Sequence, residues 1–174
     1  IPLEKKNLKT IRKNVGYVFQ DADSQLFMST VFDDVAFAPR NYGMSEAEVN
    51  EKTMEALKVV HIEQLKDKQI YKLSGGEKKL ASIATILSTE PDVILMDEPS
   101  VALDPKNRRN LINILNRLNQ AKIIASHDLN MIMDTCERTI LLSDGKIIKD
   151  GNTKEILLDK ELMEESGLEL PLGY

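Results

Sequence analysis

Residues 93–98 read Val93-Ile94-Leu95-Met96-Asp97-Glu98, four apolar residues followed directly by two acidic ones. A short apolar run that begins soon after Pro91 predicts a strand buried on both faces, as in a parallel sheet. The carboxyl ends of such strands face the ligand crevice of an open α/β sheet. One carboxylate there suits a magnesium ion and its neighbour can orient a water molecule, although two acids in a loop would give the same pattern.

Three other segments lead to the same edge of the sheet. Upstream, Ser74-Gly75-Gly76 opens a helix, where free backbone N–H groups and the helix dipole favour a phosphate; a glycine-rich helix cap without a ligand is the alternative. His127 follows the predicted buried strand 123–125, and Gln20 follows the strand 15–19. An imidazole and an amide at this edge can contact phosphate, metal or water. His61, in a helical stretch without partners, is interpreted as structural.

The order of the predicted elements gives an α/β architecture with a helical subdomain. A helical block is predicted from about residue 30 to residue 87, with a capping box at Ser45 and Glu48. Strands and helices alternate after it, with helix starts at Asp104 and Asp128 and a helical tail from Thr153. Asp144-Gly145 predicts a hairpin turn between two strands.

Composition excludes several classes of protein. The 174 residues carry a net charge of −5, and no basic stripe favours nucleic acid as a partner. No apolar run approaches the roughly 20 residues that cross a bilayer. A single cysteine excludes an internal disulfide and fits a reducing compartment.

Taken in order, these segments resemble the ATP-binding-cassette (ABC) family over essentially the whole chain. Five stretches carry the resemblance: residues 17–20 resemble its Q-loop, 73–77 its signature motif, 93–98 its Walker B strand, 100–104 its D-loop and 126–128 its H-loop. The implied fold is α/β, a partial P-loop NTPase core with a helical subdomain. The implied domains are residues 1–20, the end of the N-terminal core; 21–90, the helical subdomain; 91–152, the α/β core; and 153–174, a helical tail.

The resemblance also implies an activity, ATP hydrolysis with Mg²⁺. It assigns catalysis to Glu98, which would polarise the water, and to His127, which would contact the γ-phosphate. Asp97 would hold the metal directly or through water, with Gln20 as a second metal ligand. The nucleotide-binding set is Gln20, Ser74, Gly75, Gly76, Glu77 and Asp104, and its signature residues would serve a nucleotide on a partner subunit. The implied partners are a second ABC ATPase subunit, identical or different, and integral membrane transport subunits, with the chain peripheral on the cytoplasmic side of the membrane.

Three departures qualify these expectations. Glu77 replaces the commoner glutamine and adds negative charge near a phosphate, which Lys78 or Lys79 could offset. Ala102 stands where the D-loop often has glycine or serine. No two glycines have the spacing of the phosphate-binding loop, Gly-x-x-x-x-Gly-Lys. We therefore expect a chain that starts inside a longer domain, since Ile1 is not a methionine, and that alone binds ATP weakly and does not hydrolyse it.

Six aromatic residues fall around the Q-loop, and local core is the preferred interpretation; the alternative is a groove for a helix of a membrane partner. They are Tyr17, Phe19, Phe27, Phe32, Phe37 and Tyr42. Residues 23–27, 34–39 and 167–171 resemble the cobalt/nickel and energy-coupling-factor (ECF) importers, whose substrate another subunit selects. Two alternatives stay open, a soluble ABC ATPase outside transport and a non-enzymatic module derived from the family.

Overall fold

The computed structural model describes residues 1–101 and 103–172, which form two compact units divided between Ala125 and Ser126. Ala102 of the predicted D-loop and residues 173–174 of the predicted tail lie outside the described residues. The described residues of unit 1 form a three-stranded parallel sheet and five α-helices. Its elements are α1 (Leu8–Asn14), β1 (Val15–Val18), α2 (Val31–Asn41), α3 (Glu46–Val59), α4 (Gly75–Leu87), β2 (Val93–Asp97), α5 (Pro105–Arg117) and β3 (Ala121–Ala125), with single 3₁₀ turns at Lys5–Asn7, Ala22–Ser24, Glu63–Leu65 and Ile70–Lys72.

The sheet has the order β1-β2-β3, so the first strand pairs with a strand 78 residues later, Val15 with Val93. Val18 pairs with Met96 and Asp97 pairs with Ala125, which aligns the carboxyl ends of all three strands. The helix α4 packs against one face of β1, because Gly16 is buried against the side chains of Ile86 and Pro91. On this face Val18, Ile94 and Met96 are buried, whereas Lys122 and Ile124 of β3 are half-buried.

The opposite face of the sheet corrects one prediction. Strands β2 and β3 were expected to be buried on both faces, but Leu95 is only half-buried and Ile123 is 64% exposed. Tyr17, which pairs with Leu95 on this face, is also exposed. Both apolar runs form strands, as predicted, but only the face of the sheet that α4 covers is shielded from water.

Helices α2, α3 and α4 pack on one another and form the predicted helical block. The predicted capping box is present: the Ser45 hydroxyl accepts from the Glu48 N–H, and the Glu48 carboxylate accepts from the Ser45 N–H at 2.8 Å. The predicted buried stripes are also confirmed. They are Val49, Thr53, Ala56, Leu57 and Val60 in or beside α3, and Leu80, Ile83, Ala84 and Leu87 in α4.

Unit 2 consists of α6 (Leu129–Thr135), the hairpin β4 (Arg138–Ser143) and β5 (Lys146–Asn152), α7 (Thr153–Leu157) and α8 (Lys160–Glu165). The predicted hairpin turn is confirmed, since Asp144 and Gly145 have φ angles of 49° and 72°, the pair of positive values that a type I′ turn requires. The tail was predicted as one helix but is two, because Asp159 caps a new helix by accepting from the Leu162 N–H. No helix within the described residues is long and apolar enough to span a bilayer.

Candidate functional site

Asp97 and Glu98 lie at the carboxyl end of β2, as the sequence predicts. Asp97 is the last residue of the strand, and Glu98 donates its N–H to the Ala125 carbonyl at 2.9 Å, which continues the pairing with β3 by one residue. Glu98 has a φ of 43°, in the left-handed region that a residue with a Cβ adopts at a cost of roughly 1–2 kcal/mol. This turn directs the chain from the strand to Val101, whose N–H donates to the Glu98 carbonyl. A strained backbone of this kind is common in functional sites.

The signature segment forms a capped helix start. Ser74 is the N-cap of α4, and its hydroxyl accepts from the Glu77 N–H at 3.3 Å. The Glu77 carboxylate accepts from the Ser74 N–H at 2.7 Å, so the two residues form a capping box. The N–H groups of Gly75 and Gly76 are not used by this box and lie in the first turn, where the helix dipole favours an anion.

Glu77 has a counter-ion that the sequence analysis did not identify. Lys68, in the loop before α4, places its ammonium 3.1 Å from both carboxylate oxygens of Glu77. The hydrogen bond from the Ser74 N–H and this ammonium hold the pKa of the Glu77 carboxyl below its usual range. The expectation that Lys78 or Lys79 offsets the charge was therefore wrong: Lys78 pairs with Asp23 at 2.6 Å, and Lys79 is buried against main-chain carbonyls.

The D-loop meets the signature helix at Gly76. Asp104 caps α5, accepting from the Asn107 N–H at 2.8 Å and from the Asn107 side-chain amide at 2.9 Å. A Cβ on Gly76 would lie 2.8 Å from the Asn107 amide nitrogen, so a larger residue would require the Asn107 side chain, which Asp104 holds, to shift. Asn107 has no motif of its own, and its contact with Gly76 joins residues 31 positions apart, which explains why the sequence analysis missed it.

A cavity of about 310 Å³ collects residues from three of the predicted motifs. Gln20 and Asp21 line it from the Q-loop, Gly75 from the start of α4, and Val101 from the D-loop. Lys79, which is buried, also lines it. The structure therefore brings together the Q-loop, the signature motif and the D-loop, which are far apart in sequence.

His127 belongs to unit 2, two residues beyond the last residue of β3. The next residue, Asp128, caps α6 by accepting from the Met131 N–H at 3.0 Å, as predicted. The role of His127 at the sheet edge stays a prediction. The second histidine, His61, follows α3 with a φ of 59°.

Magnesium fits the donor set at the sheet edge. Among residues 1–101 and 103–172 no three histidine, cysteine, aspartate or glutamate residues cluster as a metal cage. Magnesium seldom uses such a cage, since it takes one or two carboxylates together with waters and substrate phosphates. Asp97 and Gln20 supply hard oxygen donors. Asp97 ends β2 and Gln20 lies just beyond β1, and the two strands are in register.

The aromatic residues around the Q-loop are mostly not core, which corrects the preferred interpretation. Phe27 is 64% exposed and its ring meets that of Phe37 edge to face, with centroids 4.8 Å apart. Tyr17 and Phe19 form a second exposed pair at 4.9 Å. Phe27 is held by the buried Asp34, whose carboxylate accepts from the N–H groups of Phe27 and Met28. Burial raises the pKa of the Asp34 carboxyl.

Comparison with known proteins gives consistent matches. A family model described as ABC transporter matches residues 1–101. An ABC transporter ATP-binding protein of Geobacter sulfurreducens is 48% identical over 172 residues, covering 99% of this chain and 69% of the relative. The energy-coupling factor transporter ATP-binding protein EcfA of Carboxydothermus hydrogenoformans is 41% identical over 98% of this chain and 64% of its own length.

Solved structures agree with the fold. CbiO1 from Clostridium perfringens, described as part of the ABC transporter complex CbiONQ, has a TM-score of 0.84 at 36% identity, covering 95% of this chain and 67% of its own. A dimeric bacterial ABC transporter cassette, MJ0796, has a TM-score of 0.76 at 28% identity, covering 87% of this chain and 68% of its own. The predicted α/β fold of the P-loop NTPase type is confirmed by these matches.

Proposed function

The chain belongs to the ABC transporter family, as an ABC ATPase, and we propose that it couples ATP hydrolysis to import in a transporter of the cobalt/nickel or ECF type. Several relatives carry the ECF name, among them EcfA of Methanocaldococcus jannaschii at 41% identity. The observation that carries the proposal is the cavity lined by the Q-loop, the start of α4 and the D-loop. The substrate class, cobalt, nickel or a vitamin, follows from the resemblance alone.

In this proposal the sheet edge performs the chemistry. Asp97 and Gln20 hold magnesium, which supplies charge neutralisation on the phosphates when bound. Glu98 orients the attacking water. The main chain of Glu98 is hydrogen-bonded to Ala125 and to Val101, and this fixes the position of its Cα, from which the carboxylate extends. His127 contacts the γ-phosphate from the segment that follows β3.

The signature helix serves the nucleotide of a partner ATPase subunit. The first turn of α4 offers the N–H groups of Gly75 and Gly76 to phosphate oxygens, and the dipole of a 13-residue helix strengthens this anion site. The negative charge of Glu77 would repel a phosphate, but the Lys68 ammonium, 3.1 Å from the Glu77 carboxylate, neutralises that charge. Asp104 and Asn107 hold the D-loop against Gly76, so a subunit arriving at this surface meets both motifs together.

Phe27 and its surroundings bind a membrane subunit in this proposal. A cavity of about 340 Å³ adjoins Phe27 and is lined by Leu26, Met28, Ile70 and Tyr71 together with polar residues. Phe27 and Tyr71 are 64% and 73% exposed, the kind of apolar surface that accepts an amphipathic helix. The chain would then lie on the cytoplasmic side of the membrane, bound through its partners.

We further propose that the 174-residue chain alone does not hydrolyse ATP, because the backbone cradle and lysine of Gly-x-x-x-x-Gly-Lys are not among its residues. The test of the importer proposal is uptake. The natural gene product, purified with its membrane subunits and placed in vesicles, should accumulate radiolabelled cobalt, nickel or a vitamin only with magnesium-ATP. Steady ATP turnover with no uptake of any of these would leave an ABC ATPase and reject the importer assignment.

A further inference from the structure

Lys79 is a charged side chain in the interior of unit 1. It lies on α4, five residues after Ser74, and is 3% exposed. A lysine is almost never buried to this extent unless its ammonium is hydrogen-bonded or paired, because taking the charge out of water is costly. Its position therefore has to be explained by what the ammonium binds.

The ammonium of Lys79 binds the main chain of the Q-loop. It donates to the Phe19 carbonyl at 3.0 Å and to the Gln20 carbonyl at 2.7 Å. These two residues directly follow β1 and are 60 and 59 positions away in sequence. The contact thus connects the signature helix to the first turn of the Q-loop through a donor that comes from the interior.

A second side chain binds the same residue, Phe19, through its N–H group. Gln25 accepts from the Phe19 N–H at 3.1 Å and donates to α4, to the Ser82 carbonyl at 2.7 Å and the Thr85 hydroxyl at 2.8 Å. Both polar groups of Phe19 are therefore bound through α4. The position of the Q-loop main chain at Phe19 therefore depends on that of the helix.

We propose that Lys79 is a positioning residue, which fixes the main chain of Gln20 to the signature helix and so places the Gln20 amide at the magnesium edge of the sheet. This inference rests on the proposed function, since it concerns how Gln20 reaches metal and water. The charge as well as the hydrogen bonds matters, because Asp21, Asp97 and Glu98 all attract the ammonium. Burial nevertheless lowers the pKa of Lys79.

The test compares Lys79→Met, which keeps the length and loses the donors and the charge, with Lys79→Arg, which keeps both. Lys52→Met is the matched control. Lys52 lies on α3, outside the site, and its ammonium is 2.8 Å from the Glu90 carboxylate. Hydrogen exchange of residues 19–25 is measured in each variant of the natural gene product. Turnover is measured with the natural gene product and its membrane subunits, as a function of ATP and of magnesium concentration.

We expect Lys79→Met to speed exchange at residues 19–25 by at least about tenfold, since each lost hydrogen bond to a charged donor is worth about 1.5–3 kcal/mol. In the complex, kcat should fall and the magnesium concentration for half-maximal activity should rise, while KM for ATP stays within about twofold because the binding surface is intact. Lys79→Arg should show little of the change in exchange, kcat or magnesium dependence. Lys52→Met should show no such change. A loss of stability alone would lower the active fraction without moving the magnesium dependence.

Unchanged exchange and magnesium dependence in Lys79→Met would overturn the inference. If that variant does not fold, Lys79→Gln, which keeps an N–H donor, is read by the same criteria. Failure of both to fold beside a folded Lys79→Arg would also overturn it, since Lys79 would then be a folding requirement. If the unaltered complex shows no ATP turnover, the proposed function fails, while the exchange result still decides whether Lys79 holds the Q-loop.

Discussion

The close approach of β1 to α4 at Gly16 can be tested by adding a single methyl group. In Gly16→Ala the new Cβ would lie 2.1 Å from Ile86 Cγ2 and 3.2 Å from Pro91 Cγ. Carbon atoms pack at about 3.5–4.0 Å, so the two elements must separate by about 1.5 Å or Ile86 must leave its position. A β-branched residue in a helix has one strongly preferred χ1 rotamer, which makes the second response costly.

Overpacking of this kind costs about 1–3 kcal/mol. In a chain of this size each kcal/mol lowers the melting temperature by about 2–4 °C, so calorimetry should show a decrease of about 2–12 °C. Ile86→Ala removes Cγ2, and the double variant Gly16→Ala/Ile86→Ala should be more stable than the sum of the single changes by at least about 1 kcal/mol. Ile86→Val keeps Cγ2 and is the matched control, with no such rescue.

Two results would refute this reasoning about the helix–strand contact. An unchanged melting temperature in Gly16→Ala would show that α4 and β1 are not in close contact at this point. Equal rescue by Ile86→Val and Ile86→Ala would show that Cγ2 is not the atom that the new methyl group meets.

Further predictions concern the signature helix and the exposed aromatic surface. Lys68→Met should raise KM for ATP in the transport complex. The increase should be smaller in the Glu77→Gln background, with a coupling free energy of up to about 1 kcal/mol for this partly exposed pair. Equal increases in KM in both backgrounds would contradict the pairing of Lys68 with Glu77. Because the folded-state pKa of Glu77 is lowered, its contribution to stability is complete above pH 4.5 and is lost as pH falls through the folded pKa, so acid unfolding of Glu77→Gln should depend less steeply on pH. Phe27→Ala should weaken binding of the membrane subunit by about 2 kcal/mol or more, while Val59→Ala, at another exposed apolar side chain, should not; equal affinities would reject this surface.

The elements of the fold were predictable where the signal is local. Ser45 with Glu48 and the Asp144-Gly145 turn are decided by side chains or backbone angles within a few residues, and both are confirmed. The burial of β3 was not predictable, because Ile123 is apolar and its exposure depends on which face of the sheet a helix covers.

In the candidate site, too, residues that belong to local motifs were predictable and long-range contacts were not. The segments around Gln20, Gly75 and Val101 carry motifs and meet in one cavity. The partner of Glu77 was assigned wrongly because residues one and two positions apart do not face each other on a helix, which directs Lys78 and Lys79 elsewhere. Lys68 reaches Glu77 through a loop that pairs with the start of α2, a contact that no local pattern encodes.

The central claim, that Glu98 at the end of β2 drives ATP hydrolysis, is tested most directly by the turnover of Glu98→Gln in the natural gene product with its membrane subunits. We expect a loss of about 100-fold or more in kcat with ATP still bound, because a water-orienting base is removed. Glu90→Gln is the matched control, a second glutamate with a positive φ, of 47°, outside the site. Turnover of Glu98→Gln equal to that of Glu90→Gln would contradict the claim.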